Sequence, residues 1–215
     1  MPENTGIAGL GEFLCDYPEM AVRPSAGDGC LLKGRFAFTA RSKEKGEITD
    51  TFALRIDVPS QFPRCLPRVT ETARRIPRDG AFHVNQHDES LCLGSPLRLM
   101  FKLSQRPTLT GFAEECLIPY LFAISHKLRF GGPLPFDELQ HGTPGILADY
   151  ADLFGLKTAN QARYALALLG MKKRRANKQP CPCACGKRLG RCKLNERLRQ
   201  FRQIAGRSWF RTSAS

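Results

Sequence analysis

In the stretch "HVNQHDESLCLGSP", residues 83–96, Cys92 stands between Leu91 and Leu93, with polar and histidine residues before it and Gly94, Ser95 and Pro96 after it. A cysteine kept only for packing behaves as a small apolar residue and sits inside a periodic apolar segment. Cys92 instead reads as a thiol on a turn, within reach of a second molecule. A nucleophile is one chemistry open to it. As a hydrolase it would need His83, His87, His126 or His141 as a general base within hydrogen-bond reach. Packing under a loop is the remaining alternative. Cys15, Cys30, Cys65 and Cys116 sit in or beside apolar segments and carry the packing reading. A second group of thiols lies in "CPCACGKRLGRCKLNERL", where Cys181, Cys183, Cys185 and Cys192 are spaced as soft metal ligands can be.

The chain that must position these residues has 215 of them, 42% apolar, enough for one good core and an appendage. Its longest apolar run, "LIPYLFAI", is far short of a bilayer span, and "MPENTGIAGL" has neither the basic start nor the apolar stretch of a signal peptide. A cytoplasmic protein with no membrane span is therefore expected. There the nine cysteines read as reduced thiols, metal ligands or a nucleophile rather than as a disulfide framework. The net charge of +13 is uneven. Residues 1–156 hold 17 Lys and Arg against 19 Asp and Glu, whereas residues 157–215 hold 16 against Glu196 alone. A tail carrying +15 is attracted to nucleic acid, an acidic protein face or an anionic membrane surface, and salt weakens each attraction.

The body opens with a helix or loop near "GLGEFLCDYPEM". Two strand-like runs come next, "CLLKGRFAFTA" and "ITDTFALRIDVP", joined by the polar "RSKEKGE" as in a hairpin. Alternation puts Phe52, Leu54, Ile56 and Val58 on one buried face. The prolines of "PSQFPRCLPRVTET" hold an extended path before a short strand near 67–72. After Cys92, "PTLTGFAEECLIPYLFAISHKLRF" has helical spacing with Phe112, Cys116, Tyr120 and Ile124 on one side, and Pro119 must bend it or bound it. A last body helix is expected in "ILADYADLFG", capped by Thr143 with Pro144 in its first turn.

The segment "VPSQFPRCLPRV", with "HVNQHDESLCLG" after it, resembles the ubiquitin-conjugating enzyme family, in particular its divergent bacterial members, over residues 10–156. The resemblance implies an α+β fold, an antiparallel β-meander with flanking helices. It implies Cys92 as an acyl carrier, its thiolate attacking the activated C-terminal carbonyl of a modifier and later yielding the acyl group to an amine. With reference pKa values of about 8.5 for cysteine and about 10.4 for lysine, such transfer depends on positioning and desolvation as well as on the thiol. Asn85 is the implied counterpart of the family's asparagine, which lies beside the oxyanion. Here it stands seven residues before the cysteine, where typical members have eight. It either contacts the oxyanion or braces the loop. Asp88 is either the acid near the incoming lysine or a turn residue. "LPFDELQHGTPGILADYADLFG" resembles the segment C-terminal to the active site in bacterial relatives, some of which accompany antiphage operons that make cyclic oligonucleotides.

In the tail, Cys181, Cys183 and Cys192 with Gly186 resemble the SEC-C zinc motif, giving a small C-terminal zinc knuckle. Lys193 stands where that motif's last ligand belongs, and Cys185 is the substitute. The ligand set implied for a structural zinc is Cys181, Cys183, Cys185 and Cys192. The organisation expected is a conjugating-enzyme-like domain over 1–156, a basic helix or linker over 157–179 whose Tyr164, Leu166, Leu168 and Leu169 dock on the body while "KKRR" stays in water, and a zinc-binding basic tail over 180–215. "GLGEF" is no nucleotide loop and no Walker-type lysine loop occurs. Activation must then come from a separate activating enzyme or a partner such as a cyclic-oligonucleotide synthase. Partners expected are a ubiquitin-like modifier or another protein C-terminus, and nucleic acid through the basic tail. A non-catalytic binding module with the same fold is the alternative.

Overall fold

A hairpin of two long strands, β2 (Cys30–Ser42) and β3 (Gly46–Val58), organises the first half of the chain. Their register pairs Leu32 with Ile56 and Phe36 with Phe52, so one face of the ladder is continuously apolar, and these four side chains are buried. Gly46 takes φ 74 at the turn, a conformation in which a Cβ would be strained. β1 (Met20–Arg23) joins the outer edge of β2 and β4 (Arg68–Glu71) that of β3, giving an antiparallel sheet in the order β1-β2-β3-β4. The expected α+β meander is therefore present. β1 carries one core side chain, Met20, which is why its sequence gives no alternation to read. It crosses so close to Gly34 that a Cβ there would meet the Glu19 carbonyl oxygen at 2.0 Å.

The computed structural model describes residues 6–25, 27–134 and 142–214, which fall into two compact units, 1–137 and 138–215. In the first, helix α1 (Leu10–Asp16) precedes the sheet. After it come α2 (Pro96–Gln105), α3 (Leu109–Phe112), one π-helical turn (Ala113–Leu117) and α4 (Ile118–Phe130). Phe112, Cys116, Tyr120 and Ile124 are buried, as their spacing requires. Pro119 marks a boundary, as expected: it stands in the first turn of α4, and the widened π-helical turn ends at Leu117 just before it. Proline offers no N–H to the carbonyl four residues earlier and its ring crowds that carbonyl. The orphaned acceptor is Glu115, whose oxygen takes a hydrogen bond from Lys102 Nζ of α2 at 3.2 Å.

The second unit contains α5 (Thr143–Phe154), α6 (Ala159–Gly170), a short α7 (Lys173–Ala176), α8 (Leu194–Ile204) and α9 (Arg207–Ala214). Its bounds differ from the expected division at 156: α5, read as the end of the first domain, packs against α6 and α8. Thr143 is not the cap expected of it. Gly142 occupies the N-cap and Thr143 and Pro144 are the first helical residues, while Gly155 closes the helix at φ 69. Thr158 and Gln161 form a reciprocal capping box at the start of α6. Leu166, Leu168 and Leu169 are buried within this unit against α5 and α9, and Tyr164 is half-buried. Lys172 to Arg175 are exposed, as expected.

Candidate functional site

Val84 and Leu91 form an antiparallel bridge between the two limbs of the loop that carries Cys92. Two backbone hydrogen bonds flank it, Cys92 N to His83 O at 2.8 Å and Asn85 N to Ser90 O at 2.9 Å. Both bridge side chains are buried, so Leu91 anchors the loop from below. The second limb also docks on the sheet: Leu91 N donates to Val69 O at 2.8 Å and Ser90 pairs with Thr70 of β4. Cys92 thus leaves a ladder fixed to the sheet edge, half-buried rather than enclosed. Asn85 and Cys92 are diagonal neighbours across this ladder, a relation that corresponds to roughly 7 Å in regular antiparallel pairing.

The tip of the loop is held by its own polar groups. Asn85 Nδ2 donates to Ser90 Oγ at 2.8 Å, and Ser90 Oγ in turn donates to Asp88 Oδ1 at 2.7 Å. Hydrogen bonds from the Ser90 hydroxyl and backbone N–H, aided by Arg68, hold the Asp88 carboxyl below its ordinary range. Asp88 thus braces the tip of the loop through Ser90. A carboxamide has two N–H donors. One of Asn85's braces the loop, which leaves the other for a ligand on this exposed rim.

The entry to the loop is clamped from α4. Tyr120 Oη donates to Phe82 O at 2.8 Å and Lys127 Nζ to Ala81 O at 2.7 Å, fixing the single turn Gly80–Phe82 that precedes His83. Burial, and after it the nearness of Cys92, pushes the Tyr120 hydroxyl far above its ordinary value, so it stays protonated. Arg78 donates to the carbonyls of Glu71 and Glu89 on the same side. Sequence reasoning places Tyr120 in the core, because its link to the loop spans 38 residues, and gives Arg78 no role, because its partners are backbone carbonyls that no side-chain pattern marks. Of the histidines, His83 faces Cys92 across the ladder, His87 is exposed, and His126 lies against Phe130 with ring centroids 4.9 Å apart. His141 lies outside the described residues. Cys30 and Cys116 are buried and Cys65 is half-buried with its thiol on Gln61 Oε1; Cys15, read as packing, is exposed on α1.

In the second unit all four candidate metal ligands converge, their sulfurs within 4.8 Å of one another. Cys181 and Cys183 are 3.2 Å apart, Cys183 and Cys192 3.6 Å, Cys185 and Cys192 3.7 Å. A tetrahedral zinc with Zn–S bonds of about 2.3 Å has edges of about 3.8 Å, so the set fits such an ion. The chain gathers them by a tight reversal. Pro180 bridges Arg188, Cys181 N donates to Lys187 O at 2.9 Å, and Ala184 and Gly186 adopt φ 59 and 72 between the ligands. Cys192 comes after a single turn, Leu189–Arg191, immediately before α8. Burial pushes the Cys181 and Cys183 thiols up, whereas the Lys187 backbone N–H and the neighbouring thiols pull exposed Cys185 down to about 7.

Two arginines of α8 serve the fold. Arg197 Nε donates to Leu153 O at 3.0 Å, and Arg202 donates to Leu168, Leu169 and Met171 carbonyls, closing the C-terminal ends of α5 and α6. Among the described residues no helix is long and apolar enough to cross a membrane. Comparisons with protein-family models, with curated proteins and with solved structures return no match for this chain.

Proposed function

We propose that the first unit is a ubiquitin-conjugating-like acyl carrier with Cys92 as its nucleophile. The observation that carries the reading is the half-buried thiol on a loop pinned to the sheet edge by the Val84–Leu91 bridge, with an asparagine across the ladder. The Cys92 thiolate adds to the carbonyl carbon of a modifier's activated C-terminus, the tetrahedral oxyanion collapses, and the activating group leaves as the thioester forms. An amine then adds to that thioester, expels the thiolate and loses its proton to solvent or a nearby base. Asn85 offers its second N–H to the oxyanion of the transfer step. The fixed ladder confers orientation, for which a misplacement of 1 Å can cost about a hundredfold in rate. The carboxylate must arrive activated, so a separate activating enzyme or a cyclic-oligonucleotide synthase partner belongs to the scheme, in a bacterial antiphage setting and in the cytoplasm. The second unit is a structural zinc module that holds a partner.

The test is reconstitution with an activating enzyme, its modifier and ATP. The wild type should form a thiol-sensitive adduct, and Cys92→Ser a slower, thiol-resistant oxyester. Target modification undiminished by Cys92→Ala would overturn the carrier reading in favour of a non-catalytic binding module of the same fold.

A further inference from the structure

A cleft of about 420 Å³ opens between the end of α6, the start of α7 and the junction of α8 with α9. Four cationic side chains line it, Lys172, Lys173, Arg202 and Arg207, over an apolar floor that includes Leu169 and Phe210, and no carboxylate is among its lining residues. Lys172, Lys173 and Arg207 are exposed and Arg202 is half-buried. Arg202 adds its charge but few donors, because three carbonyls at the end of α6 already occupy its guanidinium. Burial, and after it the closeness of Arg207, lower its affinity for a proton. Gly206 and Arg207, where α9 begins, also line the cleft, so the positive end of that helix adds to the same field.

We infer that this cleft binds a phosphate group. A carboxylate offers one charge and two oxygens, whereas a phosphoryl group offers up to two charges and three acceptor oxygens, a better match to the three exposed cations Lys172, Lys173 and Arg207 of the lining. The apolar floor strengthens each contact by lowering the local dielectric constant. Phosphate of this kind comes either from the backbone of a nucleic-acid strand or from a free nucleotide or polyphosphate. Such binding is independent of Cys92 and of acyl transfer.

The experiment uses the full-length chain with two probes, a short fluorescent single-stranded oligonucleotide followed by anisotropy and inorganic pyrophosphate followed directly by titration calorimetry. Lys173→Gln/Arg207→Gln removes two cations from the cleft without touching the arginine that closes α6. Lys157→Gln/Arg163→Gln removes two exposed cations outside its lining and serves as the charge-matched control. The cleft pair should weaken oligonucleotide binding about tenfold near 0.1 M salt. It should also lower the slope of log affinity against log salt by about 1.4, at about 0.7 per lost contact on a single strand. The control should stay within about twofold. Pyrophosphate binding that the cleft pair abolishes, with no oligonucleotide bound, assigns the site to a free nucleotide or polyphosphate instead. Equal losses in both pairs would show diffuse attraction and overturn the inference, as would a wild type that binds neither probe.

Discussion

Chelation of the zinc that we propose for the four-cysteine cluster is the perturbation from which the second unit has most to lose. Its four sulfurs stand at separations of 3.2 to 4.8 Å, bracketing the tetrahedral edge of about 3.8 Å, so binding needs shifts of well under 1 Å. The knuckle residues themselves bury only Cys181, Pro182 and Leu189, and α8 starts at Leu194, with one residue between it and Cys192. Metal loss should therefore loosen the start of α8, and with it the contacts that Arg197 and Arg202 make to the ends of α5 and α6. At free zinc about a thousandfold above its dissociation constant, linkage stabilises the folded unit by about 4 kcal/mol. For a domain of 60 to 100 residues, about 4 to 8 °C per kcal/mol converts this to a drop of at least about 16 °C on chelation. Elemental analysis should find about one zinc per chain, and calorimetry with and without chelator should show the lower transition for this unit alone. Full zinc content in Cys181→Ser/Cys183→Ser, or a transition indifferent to chelator, would refute the site.

Asn85→Ala should slow transfer from Cys92 far more than loading, by up to about 3 kcal/mol if the second N–H meets the oxyanion, and single-turnover discharge of the loaded chain reads it. A smaller, equal effect on both steps would leave only the brace to Ser90. Asp50 offers an acid-stability test: burial alone would raise its carboxyl, but hydrogen bonds from Arg75, Ser125 and the Thr51 N–H outweigh it and bring it from 3.8 down to about 2. Because the folded value is the lower one, the benefit of about 2 kcal/mol is complete above about pH 4 and is lost as pH falls toward 2. Denaturant titrations in that range should show a fall that is smaller in Asp50→Asn than in the wild type by about 2 kcal/mol, and equal falls would refute the assignment. Lys102→Met should cost about 1 kcal/mol in the wild type and much less in Pro119→Ala, where the helix regains its own donor for the Glu115 carbonyl; equal costs in a double-mutant cycle would disprove the link.

Legibility in the sequence tracks the length over which a pattern repeats. Thirteen-residue strands show period two plainly, and Phe52, Leu54, Ile56 and Val58 are buried as their alternation demands. β1 has four residues and one core side chain, too little for any period. α8 and α9 are hidden for a different reason. In "LNERLRQFRQI" the buried apolar residues are Leu194, Leu198 and Phe201, a stripe so narrow that the arginines between them read as a solvated tail. The start of α6 does carry a usable signal, Thr158 with Gln161 three residues on, which fixes its first turn. At the candidate site, the thiol and the cysteine cluster are visible because their chemistry is local in sequence. The clamp from Tyr120 and Lys127 onto residues 81 and 82 is not, since only the fold brings α4 to that turn.

The charge of the second unit shows how composition misleads without placement. From residue 157 onward 16 cations face one acid, which read alone predicts a uniformly attractive tail. Arg197 and Arg202 are instead engaged by helix-end carbonyls and offer little to a partner. Lys172, Lys173 and Arg207 surround a cleft, whereas Lys157 and Arg163 stand outside it. Removing any two of these changes net charge identically, yet the three classes should behave differently: unfolding for the first, loss of phosphate for the second, almost nothing for the third. Net charge sets the long-range attraction and its salt dependence. Where each guanidinium and ammonium ends up decides whether that attraction becomes a site, and only the folded unit makes the distinction.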